Sequence, residues 1–195
     1  MPHQHGARFT QHTSADAPEA SAPVLRRHEA DGEAAPHLLA VLAASPAALL
    51  AYDQMLQQLR AHSTLSAEAL HVVFLTASYE NECAYCVAGH SAVARADGVR
   101  PAVIQAIRDG QRLAEPALEA LRHFCAQLVI GRGFVPPDDL QAFLGAGYTQ
   151  AQVLDVITAV AAKTISNYTC QVTGTPLDEA VRGDDWVPPT QLSAA

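Results

Sequence analysis

Two cysteines and a histidine lie close together in the segment ECAYCVAGH, residues 82–90. Cys83 and Cys86 are three residues apart, and His90 follows four residues after Cys86. On an α-helix, positions i, i+3 and i+7 fall along one stripe, so both sulfurs and the imidazole would face the same side. A dithiol with a neighbouring base points to thiol redox chemistry.

The position of this motif at the start of a helix favours a reactive thiol. Cys83 is expected in the first turn, where free backbone N–H groups and the helix dipole lower a thiol pKa. His90 is placed to take a proton from Cys86 directly or through one water. The second thiol would convert a sulfenic acid to a disulfide. The helix start favours Cys83 as the more acidic thiol, whereas the neighbouring base favours Cys86. The sequence therefore does not assign which of the two sulfurs reacts with the peroxide.

A metal site and a chance pair of cysteines are the alternatives for this motif. Cys83, Cys86 and His90 could supply three zinc ligands, with His71 as a fourth, but structural zinc sites usually draw ligand pairs from different segments. We therefore predict no metal and no cofactor. Cys125 and Cys170 have no close partner in the sequence and are predicted to be structural.

Composition limits the classes of partner and compartment. The chain has 195 residues and a net charge of −8, which argues against a nucleic-acid partner. No apolar run reaches the roughly 18 residues of a membrane span, and no signal-peptide core is present at the N-terminus. Four cysteines in a chain of this length do not make a secreted disulfide framework, so a cytoplasmic location is expected.

The sequence divides into an arm, a helical domain and a tail. Residues 1–35 lack apolar periodicity and are predicted to form a disordered or loosely attached arm, with a solvated set of histidines: His3, His5, His12 and His28. Residues 36–182 form the predicted domain, and residues 183–195 a C-terminal tail.

Every segment of the domain has the pattern of a helix punctuated by Pro and Gly, which predicts an all-α fold. Ser45 before Pro46, and Ser66, are expected helix N-caps, and Thr149 opens a capping-box pattern. The helix that carries the cysteines is expected to run from near Asn81 to Gly98. No stretch alternates with the period of two that a strand requires.

The segment Cys83–His90 resembles the Cys-x-x-Cys-x-x-x-His signature of the AhpD-like alkylhydroperoxidases, within the carboxymuconolactone decarboxylase superfamily. Similarity extends over about residues 45–180 and includes Gly147-Tyr148-Thr149 and Ser166-Asn167-Tyr168-Thr169. The resemblance implies an AhpD-like helical domain with a CxxC-bearing helix, assembled as a homo-oligomer, a trimer or hexamer. It also implies reduction of hydroperoxides through the cysteine pair, which an external dithiol or protein reductant regenerates.

One position departs from the pattern of that family. The family typically places a glutamate twelve residues before the first cysteine, where it supports the histidine in a proton relay, and this chain has His71 there. Either Glu82 acts as a displaced carboxylate, or a His71–His90 hydrogen bond passes the proton; ordinary roles in helix capping and core packing remain open for both. Tyr85 is expected to pack at the mouth of the site or to donate its hydroxyl.

The leading functional prediction is a thiol-dependent peroxidase with Cys83, Cys86 and His90 in the roles that the resemblance implies. A lyase or decarboxylase of the same superfamily is one alternative, although proton chemistry has no need of a cysteine pair. A redox-sensing or interaction protein with little peroxide turnover is the other, because the relay glutamate is missing.

Overall fold

The computed structural model describes residues 9–29 and 34–192 of the chain. These residues form helices joined by short turns and contain no β-strand, so the all-α prediction is confirmed for the described part. His3 and His5 of the predicted arm, and residues 193–195 of the predicted tail, lie outside the described residues.

Ten α-helices and a short 3₁₀ helix follow one another along the described residues. They are α1 (Ala22–His28), α2 (His37–Leu42), α3 (Pro46–His62), α4 (Ala67–Glu80), α5 (Ala84–Ala96), α6 (Pro101–Arg108), α7 (Pro116–Ile130), α8 (Pro137–Gly145), α9 (Gln150–Thr173), the 3₁₀ helix (Glu179–Asp184) and α10 (Pro189–Leu192). Within the described ranges, every helix is too short or too polar to traverse a lipid bilayer.

Polar side chains cap the starts of α3, α4 and α9, as expected. The hydroxyls of Ser45, Ser66 and Thr149 each accept a hydrogen bond from the backbone N–H three residues further on. At the start of α9, the Gln152 side chain also accepts from the Thr149 N–H at 2.9 Å and completes the capping box. These predicted helix starts are confirmed.

Helix α4 is the centre of the fold. Residues 69–78 are all buried, because α4 packs against α5, α7 and α9 on different sides. A helix that is apolar on all sides is stable only when it is enclosed in this way. The end of α4 is therefore a fixed platform for the turn that leads into the cysteine motif.

The N-terminal helices form a second apolar cluster around that motif. Val24 and Leu25 of α1 are 2% and 0% exposed, and they share this cluster with the side chains of Cys83 and Cys86. The Ser21 hydroxyl donates to the Ala43 carbonyl at 2.9 Å and attaches the start of α1 to the end of α2. The predicted loose arm is therefore wrong for residues 9–29: α1 has only two turns, too few for its apolar residues to show a period.

The segment after the 3₁₀ helix is also attached to the helical body. The Trp186 indole N–H donates to the Arg108 carbonyl at 2.9 Å, and its ring lies 5.4 Å from that of Tyr79. Asp184 forms a bidentate pair with Arg95, with N–O distances of 3.0 and 2.6 Å. Residues 183–187 thus belong to the folded domain rather than to a free tail.

Candidate active site

A tight turn between α4 and α5 sets the position of the first cysteine. The Cys83 N–H donates to the Ser78 carbonyl at 3.0 Å, and Glu82 has a left-handed φ of 52°. A left-handed residue interrupts the helical path, so α5 begins at Ala84 and Cys83 is its N-cap. The predicted start near Asn81 is therefore wrong, and α5 ends at Ala96, before Gly98.

Helix α9 holds this turn from the side with two amide side chains. The Asn167 side chain accepts from the Asn81 amide at 3.0 Å, and the Gln171 side chain donates to the Asn81 carbonyl. Asn167 also donates to the Ser78 hydroxyl at 3.4 Å. Cys170 lies on the same face of α9 as these two residues, so the contacts that fix the turn bring Cys170 to the cysteine motif.

Three cysteine sulfurs meet at this point. The sulfurs of Cys83, Cys86 and Cys170 all lie within 4.8 Å of one another, and the three residues are buried and in the reduced form. The expectation that Cys170 stands apart from the pair is wrong. Cys125 is different: it is buried in the main core, where its thiol donates to the Val73 carbonyl at 3.6 Å.

A cavity of about 260 Å³ reaches this cluster from one side. Of the three clustered cysteines, only Cys86 lines it, together with His90, Lys163 and Tyr85. Much of the remaining wall is apolar: Leu38, Leu39, Leu56 and Val93. Cys83 and Cys170 therefore lie behind Cys86 as seen from the cavity.

Lys163 is the one lysine of the whole chain, and it is 0% exposed. Its ammonium nitrogen has no hydrogen-bond partner among the described residues. Burial is the largest single effect and lowers the pKa of Lys163, but the charges of Cys86, Tyr52, Cys83 and Cys170 together outweigh it and raise the pKa above its usual value. Lys163 is therefore a buried cation, and Cys86 provides the largest compensating charge.

The negative charge of the cluster resides on Cys86. Burial raises the pKa of this thiol, but hydrogen bonds from Cys170 and Cys83 and the charge of Lys163 outweigh burial and hold it well below its usual value. The hydrogen bond with Cys170 lowers the pKa of Cys83, whereas the Cys86 thiolate and burial raise it to about 12. Hydrogen bonds to the other two sulfurs raise the pKa of Cys170.

His90 lies beside this thiolate as a neutral imidazole. Burial and the nearby Lys163 charge lower the pKa of His90 well below its usual range. Its Nδ1 atom is buried and has no hydrogen-bond partner among the described residues, and its ring lies 5.1 Å from that of Phe74. His90 can therefore accept or pass a proton, although no carboxylate of the described residues forms a hydrogen bond with it.

His71 also lies near Phe74 but has a different hydrogen-bond partner from His90. Its Nε2 atom pairs with the Asp97 carboxylate at 2.8 Å, and its Nδ1 atom has no partner in the described structure. The rings of His71 and His90 both contact the Phe74 ring, which His71 meets edge-on at 6.2 Å. The direct His71–His90 hydrogen bond considered as a relay is absent among the described residues.

Glu82 does not face the cavity. Its carboxylate accepts a hydrogen bond from the Thr190 hydroxyl at 2.7 Å, and it is not among the residues that line the cavity. The left-handed backbone at Glu82 turns its side chain toward the C-terminal segment. Glu82 therefore contacts neither His90 nor Cys86 and is not placed to act as a proton relay between them.

Tyr85 both packs at the cavity and donates its hydroxyl. The hydroxyl donates to the Asp178 carboxylate and accepts from the Leu38 N–H at 3.2 Å. Asp178 also accepts from the His37 N–H at 2.8 Å. Burial and the hydrogen bond to Asp178 raise the pKa of Tyr85. This network links α2, α5 and the segment after α9 at one edge of the cavity.

The helices that carry the cavity also carry a family signature. Residues 46–126 match the carboxymuconolactone decarboxylase family, and this segment contains the motif with Cys83, Cys86 and His90. The chain is therefore similar to the carboxymuconolactone decarboxylase family over residues 46–126. No curated protein matches the chain at a significant level.

Solved structures share the AhpD-like fold over nearly the whole chain. An uncharacterised peroxidase-related protein from Ralstonia eutropha JMP134 with an alkylhydroperoxidase AhpD core is 18% identical, with a TM-score of 0.77, and the similarity covers 90% of this chain and 95% of that one. The debrominase Bmp8 in complex with 2,3,4-tribromopyrrole is 16% identical, with a TM-score of 0.77 and coverage of 91% and 95%. A peroxidase-related protein from Silicibacter sp. TM1040 is 17% identical, with a TM-score of 0.75 and coverage of 91% and 96%.

Two site residues of this AhpD-like protein were missed by sequence reasoning. Lys163 and Cys170 lie on α9, beyond the segment that matches the family. A signal was present: Lys163, Asn167 and Cys170 have the spacing i, i+4 and i+7 and so share one face of α9. This polar stripe faces the stripe of α5 that carries Cys86 and His90.

Proposed function

We propose that this protein is a thiol-dependent peroxidase, in which a hydroperoxide oxidises Cys86 and Cys83 then forms a disulfide with it. The observation that supports the proposal is the position of Cys86 at the cavity wall, beside the buried Lys163 cation and two thiol donors. The thiolate is the nucleophilic form of cysteine, and this environment stabilises it.

The first step oxidises Cys86. Its thiolate attacks the terminal oxygen of the hydroperoxide, the O–O bond breaks, and the products are a Cys86 sulfenic acid and an alkoxide that takes up a proton. Lys163 has three N–H donors and no partner for them among the described residues. A cation held in this place stabilises the charge that develops on the departing oxygen.

The second step forms the disulfide. The Cys83 sulfur attacks the Cys86 sulfur, the S–O bond breaks, and the oxygen leaves as water after it takes up a proton. His90, neutral and next to Cys86, is the base that passes protons between the thiols and the departing oxygen. An external dithiol or protein reductant then returns both cysteines to thiols.

The cavity is suited to bind a small organic hydroperoxide more tightly than hydrogen peroxide. Its volume of about 260 Å³ and its leucine and valine side chains provide an apolar surface for an alkyl or aryl group. Lys163 and Cys86 both line this cavity, so the peroxide group would lie beside them.

Peroxide consumption with dithiothreitol as reductant tests this proposal. We expect Cys86→Ser to abolish turnover, whereas Cys125→Ser, which changes a buried cysteine outside the cluster, keeps the wild-type rate. Cumene hydroperoxide and hydrogen peroxide should both be consumed, the former with the lower KM. Equal rates in the wild type and in Cys86→Ser would rule out the thiol mechanism.

The same assay separates the alternative functions. A lyase or decarboxylase of the superfamily would act by proton transfer, so its activity would survive Cys86→Ser. A redox sensor would form the Cys83–Cys86 disulfide with one equivalent of hydroperoxide but would not turn over with the reductant. Assembly as a trimer or hexamer stays a prediction, which sedimentation analysis of the purified protein checks.

A further inference from the structure

We propose that Cys170 is a third redox-active thiol of this site, which takes the disulfide over from Cys86 so that Cys83 and Cys170 become linked. The inference rests on the proposed peroxidase function, since the disulfide that moves is the one that peroxide reduction forms. Its consequence is that Cys86 is free again before any external reductant acts.

The geometry of the cluster allows this exchange. All three sulfurs lie within 4.8 Å of one another, so the Cys170 sulfur is next to both members of the Cys83–Cys86 pair. All three side chains are buried, which keeps competing thiols in solution away from Cys170. A disulfide needs the two sulfurs to approach to about 2.05 Å, so the exchange requires the side chain of Cys170 or Cys83 to rotate.

The contacts that hold Cys170 in place are specific rather than general core packing. Asn167 and Gln171, on either side of Cys170 along α9, bind the side chain and the carbonyl of Asn81. The turn that contains Asn81 leads directly into Cys83. The distance between Cys170 and Cys83 is therefore fixed by the hydrogen bonds of their immediate neighbours.

The exchange balances without an outside oxidant or reductant. The Cys170 sulfur attacks the Cys83 sulfur and releases its proton through the hydrogen-bonded Cys86 sulfur to the solvent of the cavity. The Cys83–Cys86 bond breaks, and Cys86 leaves with the bonding electron pair as a thiolate. One disulfide replaces another, so the protein keeps the two-electron oxidation that it received from the hydroperoxide.

The direction of the exchange follows from the charges around the three sulfurs. The thiol with the lower pKa is the better leaving group in disulfide exchange. Lys163 stabilises the thiolate of Cys86 and so favours its departure. After the exchange, the disulfide lies behind the cavity wall, and Cys86 faces the cavity again as a thiolate beside Lys163.

The regenerated thiolate gives a stoichiometry that can be measured. Without reductant, we expect the wild-type protein to consume two equivalents of hydroperoxide per chain. The first equivalent forms the disulfide, and the second oxidises the released Cys86 to a sulfenic acid, which dimedone traps. Cys170→Ser should stop at one equivalent, because Cys86 then stays in its disulfide with Cys83. Cys125→Ser is the matched control and should still consume two.

Peptide mapping of the wild-type protein identifies the bond directly and needs no variant that could fail to fold. Trypsin separates Cys83 and Cys86, on residues 61–95, from Cys170, on residues 164–182. After one equivalent of cumene hydroperoxide, acid quenching and alkylation of free thiols, we expect these two peptides to be joined by a disulfide. The alkyl group should be found on Cys86.

A parallel oxidation with diamide separates the failure of this inference from the failure of the proposed function. If hydroperoxide is consumed to one equivalent and the two peptides are never joined, the third-thiol role is wrong and the peroxidase stands. If hydroperoxide is not consumed but diamide joins the two peptides, the peroxidase is wrong and the reactive thiol cluster stands. Joined peptides with alkylated Cys83 rather than Cys86 would overturn the proposed direction of exchange.

Discussion

Lys163 and Cys86 line the same cavity and are close enough for their charges to stabilise each other. Lys163 is 0% exposed, and its ammonium has no hydrogen-bond partner among the described residues. An isolated buried ammonium is unfavourable by several kcal/mol, so its charged form is stable only with an opposite charge close by. The thiolate of Cys86 supplies this charge, and Lys163 in turn keeps the thiolate ionised.

Replacing Lys163 should change the pH dependence of peroxide consumption. In Lys163→Met the pKa of Cys86 rises, because the Lys163 charge that lowers it is lost while the hydrogen bonds from Cys170 and Cys83 remain. The thiolate fraction at pH 7 then falls, and we expect the rate to fall by about tenfold. The wild-type rate should be nearly independent of pH from about 6 to 9, whereas the variant's rate rises with pH over that range.

A charge change far from the cavity is the control for this experiment. The Arg112 side chain is 86% exposed and does not line the cavity, so Arg112→Met should keep the wild-type pH profile. A flat profile in both variants would show that the charge of Lys163 does not set the reactivity of Cys86.

Removing the carboxylate of Glu82 should leave peroxide consumption unchanged. Its hydrogen bond goes to Thr190, and the side chain does not reach the cavity, so Glu82→Gln should have the wild-type rate. Glu82→Gly should be more stable by about 1 kcal/mol, since glycine adopts a left-handed conformation without strain. Arg132, which has the same φ of 52°, gives the matched control Arg132→Gly, with a similar gain in urea denaturation. A slower rate in Glu82→Gln alone would restore Glu82 as a relay residue.

The hydroxyl of Tyr85 should contribute more to stability than an ordinary tyrosine hydroxyl. Tyr85→Phe removes the donor to Asp178 and leaves the Leu38 N–H without its acceptor, which should lower the free energy of unfolding by about 1–3 kcal/mol. Tyr148→Phe is the comparison, since that hydroxyl makes one bond, to the Ala117 carbonyl at 3.1 Å. Equal losses in the two variants, measured by urea denaturation, would contradict a cooperative network at Tyr85.

The N-terminal helix should be part of the cooperative fold. Leu25 is fully buried against the second apolar cluster, so Leu25→Ala should lower the free energy of unfolding by about 2–5 kcal/mol. Phe9 is 47% exposed, and Phe9→Ala should have a much smaller effect. A Leu25→Ala protein as stable as the wild type would mean that α1 is attached only weakly.

Local sequence signals predicted the helices whose starts depend on nearby residues. Ser45, Ser66 and Thr149 cap helices through the backbone N–H only three residues further on, so the deciding chemistry is contained in a short segment. The start of α5 was missed, because the turn before Cys83 is fixed by Asn167 and Gln171 on α9, which lies far along the chain.

The sequence predicted the part of the candidate site that lies on one helix. Cys86 and His90 share a helical stripe and line one cavity, as their spacing indicates. The charge that stabilises the thiolate could not be found in the same way, since Lys163 comes from α9 and reaches Cys86 only through tertiary packing. The sequence showed His71 at the position where the related family has a glutamate. It did not show that Lys163, from a different helix, provides a buried charge at the site.

The burial of Lys163 leaves the outer face of the folded protein with arginine but no lysine side chains. Enzymes that acylate lysine amines therefore find no such target on the surface, and a small reagent reaches Lys163 only through the cavity that it lines. Each acylated Lys163 records one entry of the reagent into the cavity. The rate of its acylation is thus a direct measure of how open the cavity is to small molecules.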